Sequence, residues 1–198
     1  MISERIGTWA RQRLLVVGSF LGKLGLTPNM LTIIGFVLNC VVAAIIATGN
    51  VRLGGALLLV SSGFDMLDGS VARATGKTSD FGGFFDSTVD RYSEVVVYFG
   101  LLYYLLDTDD WRTGSLLTLA AATGAILISY ARARAEAAGW KASVGVLART
   151  ERVVVLSAGL LLGKPIWALW ILAVGTHLTA VTRMVHVWRQ SLKTPSGT

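Results

Sequence analysis

Cysteine is all but missing from this chain: Cys40 stands alone in an apolar run, so no intrachain disulfide forms and nothing points to an oxidising compartment. Charge is scarce as well. Asp, Glu, Lys and Arg make up 15% of the 198 residues against 53% hydrophobic, too little to coat a soluble domain of that length. Histidine occurs twice, as His177 and His186, both in the last apolar stretch, where packing or hydrogen bonding is expected of them rather than metal ligation. No internal repeat, low-complexity tract or separate soluble domain is visible. A cleavable leader is not expected, because Glu4, Arg5, Arg11, Arg13 and Lys23 interrupt the start and no small-residue cleavage site follows Leu14–Leu21, so the N-terminus reads as mature protein.

What the chain does have is apolar sequence, with a mean hydropathy of +0.61. This makes an all-α integral membrane protein of one domain, 1–198, the expected fold class. In residues 1–26, Ile6, Trp9, Leu14, Val17, Phe20, Leu21 and Leu24 recur at helical spacing among basic residues, the pattern of an amphipathic helix lying in the membrane interface. Thr27 and Asn29 offer cap chemistry around Pro28 before a first span at about 31–48. A second begins near Leu53, but its uncharged run stops at Phe64. Those residues cover only about 18 Å of a core about 30 Å thick, so the helix is expected to continue through Asp65 and Asp68 to Arg73. Further spans read at about 83–106, 115–137, 144–162 and 165–188, the last opening on Pro165. The six form a bundle over 31–189, with the tail from Lys193 to Thr198 frayed and Trp111, Trp167 and Trp188 as interfacial anchors.

Charge placement tests this topology independently. With the N-terminus inside, fifteen of the eighteen Lys and Arg residues fall on the inner side, and only Arg52, Arg112 and Lys164 fall outside. That asymmetry puts both termini and the turn around Lys77 in the cytoplasm of a multi-pass cell-membrane protein. The net charge of +6 is thereby accounted for by the membrane, and no nucleic-acid partner is expected.

Acids inside such spans are costly and functional by default. Asp65 and Asp68 are three apart, and Asp86 and Asp90 four apart, so each pair occupies one helical face. An antiparallel hairpin about Lys77 brings the four to two matched depths. Arg73 and Arg91 are too few to neutralise them, which leaves divalent cations as partners. Oxygen-only ligation favours Mg²⁺, Mn²⁺ or Ca²⁺ over zinc. Two such ions can stabilise the attacking and leaving oxygens of a displacement at phosphorus. Gly69 and Gly82 sit where a phosphate or a neighbouring helix has to come close, and Arg73 is placed to pair with a diphosphate. An intramembrane salt-bridge network is the plainer reading of the same acids.

The run Asp65, Asp68, Gly69, Ala72, Arg73, Gly82, Asp86, Asp90 resembles, with no mismatch over 26 residues, the signature of the CDP-alcohol phosphotransferases. The resemblance implies that Asp65, Asp68 and Asp86 bind two metal ions, Mg²⁺ foremost with Mn²⁺ as the alternative. It also implies that Asp90 is the general base on the acceptor hydroxyl and touches a metal too. Attack on the lipid-side phosphorus then releases CMP. Similar sequences place the nucleotide against Pro28, Asn29, Gly69, Ala72, Arg73, Thr78, Ser79 and Gly82, and assemble as homodimers.

Arg132 and Arg134 end the fourth expected span, Arg149 and Arg152 open the fifth, and Arg183 lies near the inner end of the sixth, so all can face one cytoplasmic cavity. Arginine suits a phosphate; for Arg134, Arg149 and Arg189, positive-inside topology and anionic lipid headgroups account for the charge equally well. The string Ser129 to Glu136, with Glu151-Arg152 and Thr179 to Arg183, looks like the bacterial phosphatidylinositol phosphate synthases, which join CDP-diacylglycerol to inositol phosphate. That likeness implies an acceptor-phosphate site at Arg132, Arg152 and Arg183, although members often carry lysine where Arg132 stands. The rival is phosphatidylglycerol phosphate synthesis from glycerol 3-phosphate, with unphosphorylated alcohols third. Diacyl and ether-linked archaeal-type donors stay open. A cation transporter also carries intramembrane acids, but inverted repeats are common there and none is seen; CMP release without transport in liposomes separates the two.

Overall fold

The structure, a computed structural model, describes residues 19–76 and 78–192, apart from the side chains of Met66, Asp68 and Thr75. Most of the expected interfacial helix, the Lys77 turn centre and Lys193 with the tail lie outside the described residues. The described residues hold no strand and seven complete helices: α1 Pro28–Ala47, α2 Val51–Phe64, α3 Met66–Thr75, α4 Asp80–Leu106, α5 Trp111–Ala137, α6 Arg149–Leu161 and α7 Pro165–Ser191. Residues 19–23 are also helical.

Three helices, α1, α5 and α7, are long and apolar enough to cross a membrane. Their outward faces carry the apolar residues that a soluble protein buries: Ile33, Val37 and Val41 on α1, and Trp167, Ile171, Val174, Leu178 and Val181 on α7, are all exposed. On helices long and apolar enough to span a bilayer, such faces suit lipid, and the chain is a membrane protein. Trp111, Trp167 and Trp188 are exposed near helix ends, as interfacial anchors need to be.

Two expected spans differ from what is seen. The second is broken at Asp65 into α2 and α3. Asp65 keeps right-handed helical angles (φ −57°, ψ −18°), and its N–H bonds the Ser61 carbonyl at 3.1 Å, so the break is local. Ser61, Ser62, Gly63, Gly69 and Ser70 around it are weak helix formers, which leaves little to oppose it. The fifth starts at Arg149 rather than Val144, because Gly145 has φ +113° and the segment before α6 is irregular. At thirteen residues, α6 covers about 20 Å.

The chain divides into two compact units. The first comprises residues up to Val41 and Leu59–Val96; it holds most of α1, the end of α2, α3 and the first part of α4. The second comprises Val42–Leu58 and Val97 onward. Within it α7 packs along α5 and α6. Buried residues of α5 (Gly114, Leu117, Ala121, Gly124, Ile128) and of α7 (Ala168, Leu172, Thr176, Thr179, Arg183) recur every three or four positions. Small residues let the backbones approach: a Cβ on Gly124 would overlap Thr176 Oγ1. His177 Nε2 lies 3.1 Å from the Ala120 carbonyl, the hydrogen-bonding role expected for it.

Candidate active site

The acid-bearing hairpin of the first unit is built by strong local signals. Gly76 ends α3 in the left-handed conformation (φ 65°), its N–H bonded to the Ala72 carbonyl. Ser79 caps α4, its Oγ accepting the Gly82 N–H at 3.0 Å. Thr27 does the same for α1, its Oγ1 accepting from the Met30 N–H at 3.3 Å, so Thr27 is the cap and Asn29 lies inside the helix.

Asp65 sits between α2 and α3 with its carboxylate against α1. A Cβ on Gly35 would come 2.5 Å from Asp65 Oδ1, so the missing side chain at Gly35 is the space that oxygen uses. Asp68 follows on α3, its side chain outside the described part. On α4, Asp86 and Asp90 are partly buried, and Arg91 Nη2 lies 3.9 Å from Asp90 Oδ2. Among the described residues no three His, Cys, Asp or Glu side chains form a metal-binding group. The donor chemistry nonetheless fits a hard divalent cation, since residues 51–106 offer carboxylates and neither Cys nor His.

Beside the acids a cavity of ≈ 250 Å³ is lined by Pro28, Asn29, Thr32, Gly69, Ala72, Arg73, Thr78, Ser79, Gly82, Gly83 and Asp86. All eight residues expected from sequence to face a nucleotide are brought together here. Arg73 Nη2 lies 3.5 Å from Ser70 Oγ, and a Cβ on Gly69 would stand 3.3 Å from Arg73 Nη1, so glycine leaves the guanidinium its room. At Gly82 a Cβ would be 3.0 Å from Ser79 Oγ and 3.7 Å from Asn29 Oδ1. Sequence reasoning missed Thr32 and Gly83. Thr32 was findable, being one helical turn beyond Pro28, whose carbonyl its hydroxyl bonds at 3.2 Å.

In the second unit the three expected acceptor arginines also gather. Arg152 is 2% exposed, donating from Nη1 to the Leu147 carbonyl at 3.0 Å. Arg183, also buried, donates from Nε to the Val144 carbonyl at 2.9 Å and from Nη1 to the Ile128 carbonyl at 2.7 Å. Arg132 is exposed and pairs with Glu136 at 2.8 Å. Arg132 and Arg152 are near enough to repel Arg183, and Glu136 near enough to attract it. Arg134 and Arg183 both line an apolar cavity of ≈ 570 Å³ between the ends of α5 and α7, with Tyr130, Trp140 and Trp188.

Residues 25–187 match the CDP-alcohol phosphatidyltransferase family model. An archaetidylinositol phosphate synthase from Methanothermobacter thermautotrophicus is 37% identical over 174 residues, 85% of this chain and 86% of the relative. The phosphatidylinositol phosphate synthase of Mycobacteroides abscessus is 36% identical, covering 88% and 83% of the two chains. Among solved structures, that of Mycobacterium tuberculosis phosphatidylinositol phosphate synthase with CDP-DAG bound superposes with a TM-score of 0.83 at 31% identity, covering 88% of this chain and 93% of the other. The same enzyme with manganese and citrate also gives 0.83 at 31%, over 88% of each chain.

Proposed function

The chain belongs to the CDP-alcohol phosphatidyltransferase family, and from that premise we propose that it transfers the phosphatidyl group of CDP-diacylglycerol to a hydroxyl of inositol phosphate, releasing CMP and forming phosphatidylinositol phosphate. The observation that carries the acceptor is the buried Arg152 gathered with Arg183 and Arg132: charge this costly to bury suits a phosphate dianion more than a neutral alcohol.

The roles in this reading are those that membership of the family implies for these residues. Arg73 and the glycine-lined cavity at Gly69 and Gly82 receive the CDP moiety, with Pro28, Asn29, Ala72, Thr78 and Ser79 around it. Arg132, Arg152 and Arg183 hold the acceptor's phosphate. Asp90 takes the proton of the acceptor hydroxyl, whose oxygen bonds to the lipid-side phosphorus as the bond to CMP breaks. Asp65, Asp68, Asp86 and Asp90 would hold two Mg²⁺ ions, with Mn²⁺ as a substitute. When bound, such ions supply neutralisation of the diphosphate and of the departing CMP.

The finer architecture in this reading is one domain of six spans, with α2 and α3 together making the second, preceded by an interfacial helix over 1–26. Both termini and the active site face the cytoplasm, and two copies form a homodimer. For the donor, a second reading has its own support, because archaetidylinositol phosphate synthases at 37% and 36% identity stand among the relatives; an ether-linked donor fits the same site.

Identification of the lipid product by mass spectrometry tests the reaction, with CDP-diacylglycerol, its ether-linked counterpart, Mg²⁺ and inositol phosphate supplied together. The inositol phosphate lipid of either tail supports it. CMP released with no such lipid formed would contradict it.

A further inference from the structure

Between α5 and α6 the chain runs through residues 138–148 with neither helix nor strand. Backbone groups in such a segment need partners from elsewhere wherever water does not reach them. Three side chains supply partners at a regular interval. At the exposed start of the segment Gln190 holds Lys141 through both backbone groups, its Nε2 donating to the carbonyl at 2.6 Å and its Oε1 accepting from the N–H at 3.3 Å. The Val144 carbonyl goes to Arg183 and the Leu147 carbonyl to Arg152. The carbonyls at 141, 144 and 147, three residues apart, are each taken by a side chain.

The segment is seated on one stripe of α7. Gly175, Thr179, Arg183 and Gln190 follow at intervals of four, four and seven residues, which aligns them along one helical face. Leu147 lies over Gly175, where a Cβ would come 2.5 Å from its Cδ1, and Gly145 lies against the Thr179 methyl. Glycine is required at 145 twice over, by its φ of +113° and by that contact.

Two of the three guanidiniums assigned above to the acceptor's phosphate therefore bond carbonyls of this segment, Arg152 that of Leu147 and Arg183 that of Val144, with Ile128 of α5 holding the other side of Arg183. Arg132 and Arg152 repel Arg183 while Glu136 attracts it, and the Val144 carbonyl helps to fix where the guanidinium stands among these charges. Gln190 is uncharged and is not one of the three. Its two bonds to Lys141 fix the course of the chain just ahead of Val144.

We propose that Gln190 is a positioning residue for the acceptor site: by holding Lys141 through both its N–H and its carbonyl, it keeps residues 141–147 where their carbonyls orient Arg183 and Arg152. The proposal rests on the acceptor reading above. Losing the Gln190 bonds loosens the segment and blurs the arginine geometry, and leaves the nucleotide cavity of the first unit untouched.

The test uses the full chain in detergent and two variants. Gln190→Met keeps length and bulk without either bond, and Gln190→Glu keeps the acceptor for the Lys141 N–H. Gln190→Met is expected to raise the KM for inositol phosphate roughly tenfold, the scale of one or two lost hydrogen bonds, with kcat and the KM for CDP-diacylglycerol within about twofold. Amide exchange across 139–147 should quicken in parallel, and Gln190→Glu should fall between Met and wild type. An unchanged acceptor KM in Gln190→Met would overturn the proposal, as would a joint shift of both KM values with falling kcat, the mark of general loosening. Should the wild type use glycerol 3-phosphate in place of inositol phosphate, only the acceptor's identity is overturned, and the same KM split is read against glycerol 3-phosphate.

Discussion

Asp65 Oδ1 stands 2.5 Å from the point that a Cβ on Gly35 would occupy, so a carboxylate from one helix junction fills the place of a side chain missing from another helix. Gly35 lies outside the family signature, yet it decides where the first acid of that signature can stand. A methyl group there has to push the carboxylate away, and misplacement by an ångström at a reacting centre costs on the order of a hundredfold. Gly35→Ala is therefore expected to lower kcat by at least about tenfold while the melting temperature moves by only a few degrees. CMP release and a thermal melt check both halves.

In the proposed mechanism Asp90 takes the proton of the acceptor hydroxyl. Asn in its place keeps the shape and removes the base, so Asp90→Asn should lose about 10²- to 10⁴-fold in kcat and still bind the CDP-lipid. Equilibrium binding of CDP-diacylglycerol beside a turnover assay separates the two, and strong residual turnover would remove Asp90 from the mechanism.

The buried position of Arg152 makes truncation a poor probe, since removing its charge also leaves the Leu147 carbonyl short of a donor. Arg152→Lys keeps the charge and loses the planar fork. It should raise the KM for the acceptor about fivefold, roughly 1 kcal/mol, and leave the KM for CDP-diacylglycerol near wild type. Equal effects on both substrates would argue against an acceptor-phosphate site.

What is legible in the sequence is what is local. The spacing of Asp65, Asp68, Asp86 and Asp90 and the glycines and caps of the hairpin constrain one another within 26 residues, so the grouping of Gly69, Ala72, Arg73, Ser79 and Gly82 follows from their order along the chain. Arg132, Arg152 and Arg183 are legible for another reason: among the arginines near span ends, the likeness to phosphatidylinositol phosphate synthases singles these three out. The start of α6 is not. Val144, Val146 and Leu147 have the composition of a span, but Gly145 turns the backbone and partners on α7 hold it. Gln190 escapes for the same reason. A polar residue at a helix end looks like a solvent-facing one, and its partner Lys141 is 49 residues away. The break at Asp65 also leaves no periodic signal, because its dihedral angles remain helical.

Packing in the second unit offers a stability test independent of chemistry. A Cβ on Gly124 would overlap Thr176 Oγ1, and that hydroxyl is already bonded to the Leu172 carbonyl at 2.7 Å. Gly124→Val should destabilise by about 1–3 kcal/mol through overpacking, seen as a lowered melting temperature in detergent. Thr176→Ala in the same background should recover part of the loss.

The central claim, a phosphatidyl transfer to inositol phosphate, is tested most directly by CMP release from CDP-diacylglycerol and Mg²⁺ by the purified protein, with inositol phosphate, glycerol 3-phosphate and free inositol offered in parallel. Turnover with inositol phosphate alone is the predicted result; turnover with glycerol 3-phosphate or free inositol in preference to it would contradict the acceptor assigned to Arg132, Arg152 and Arg183.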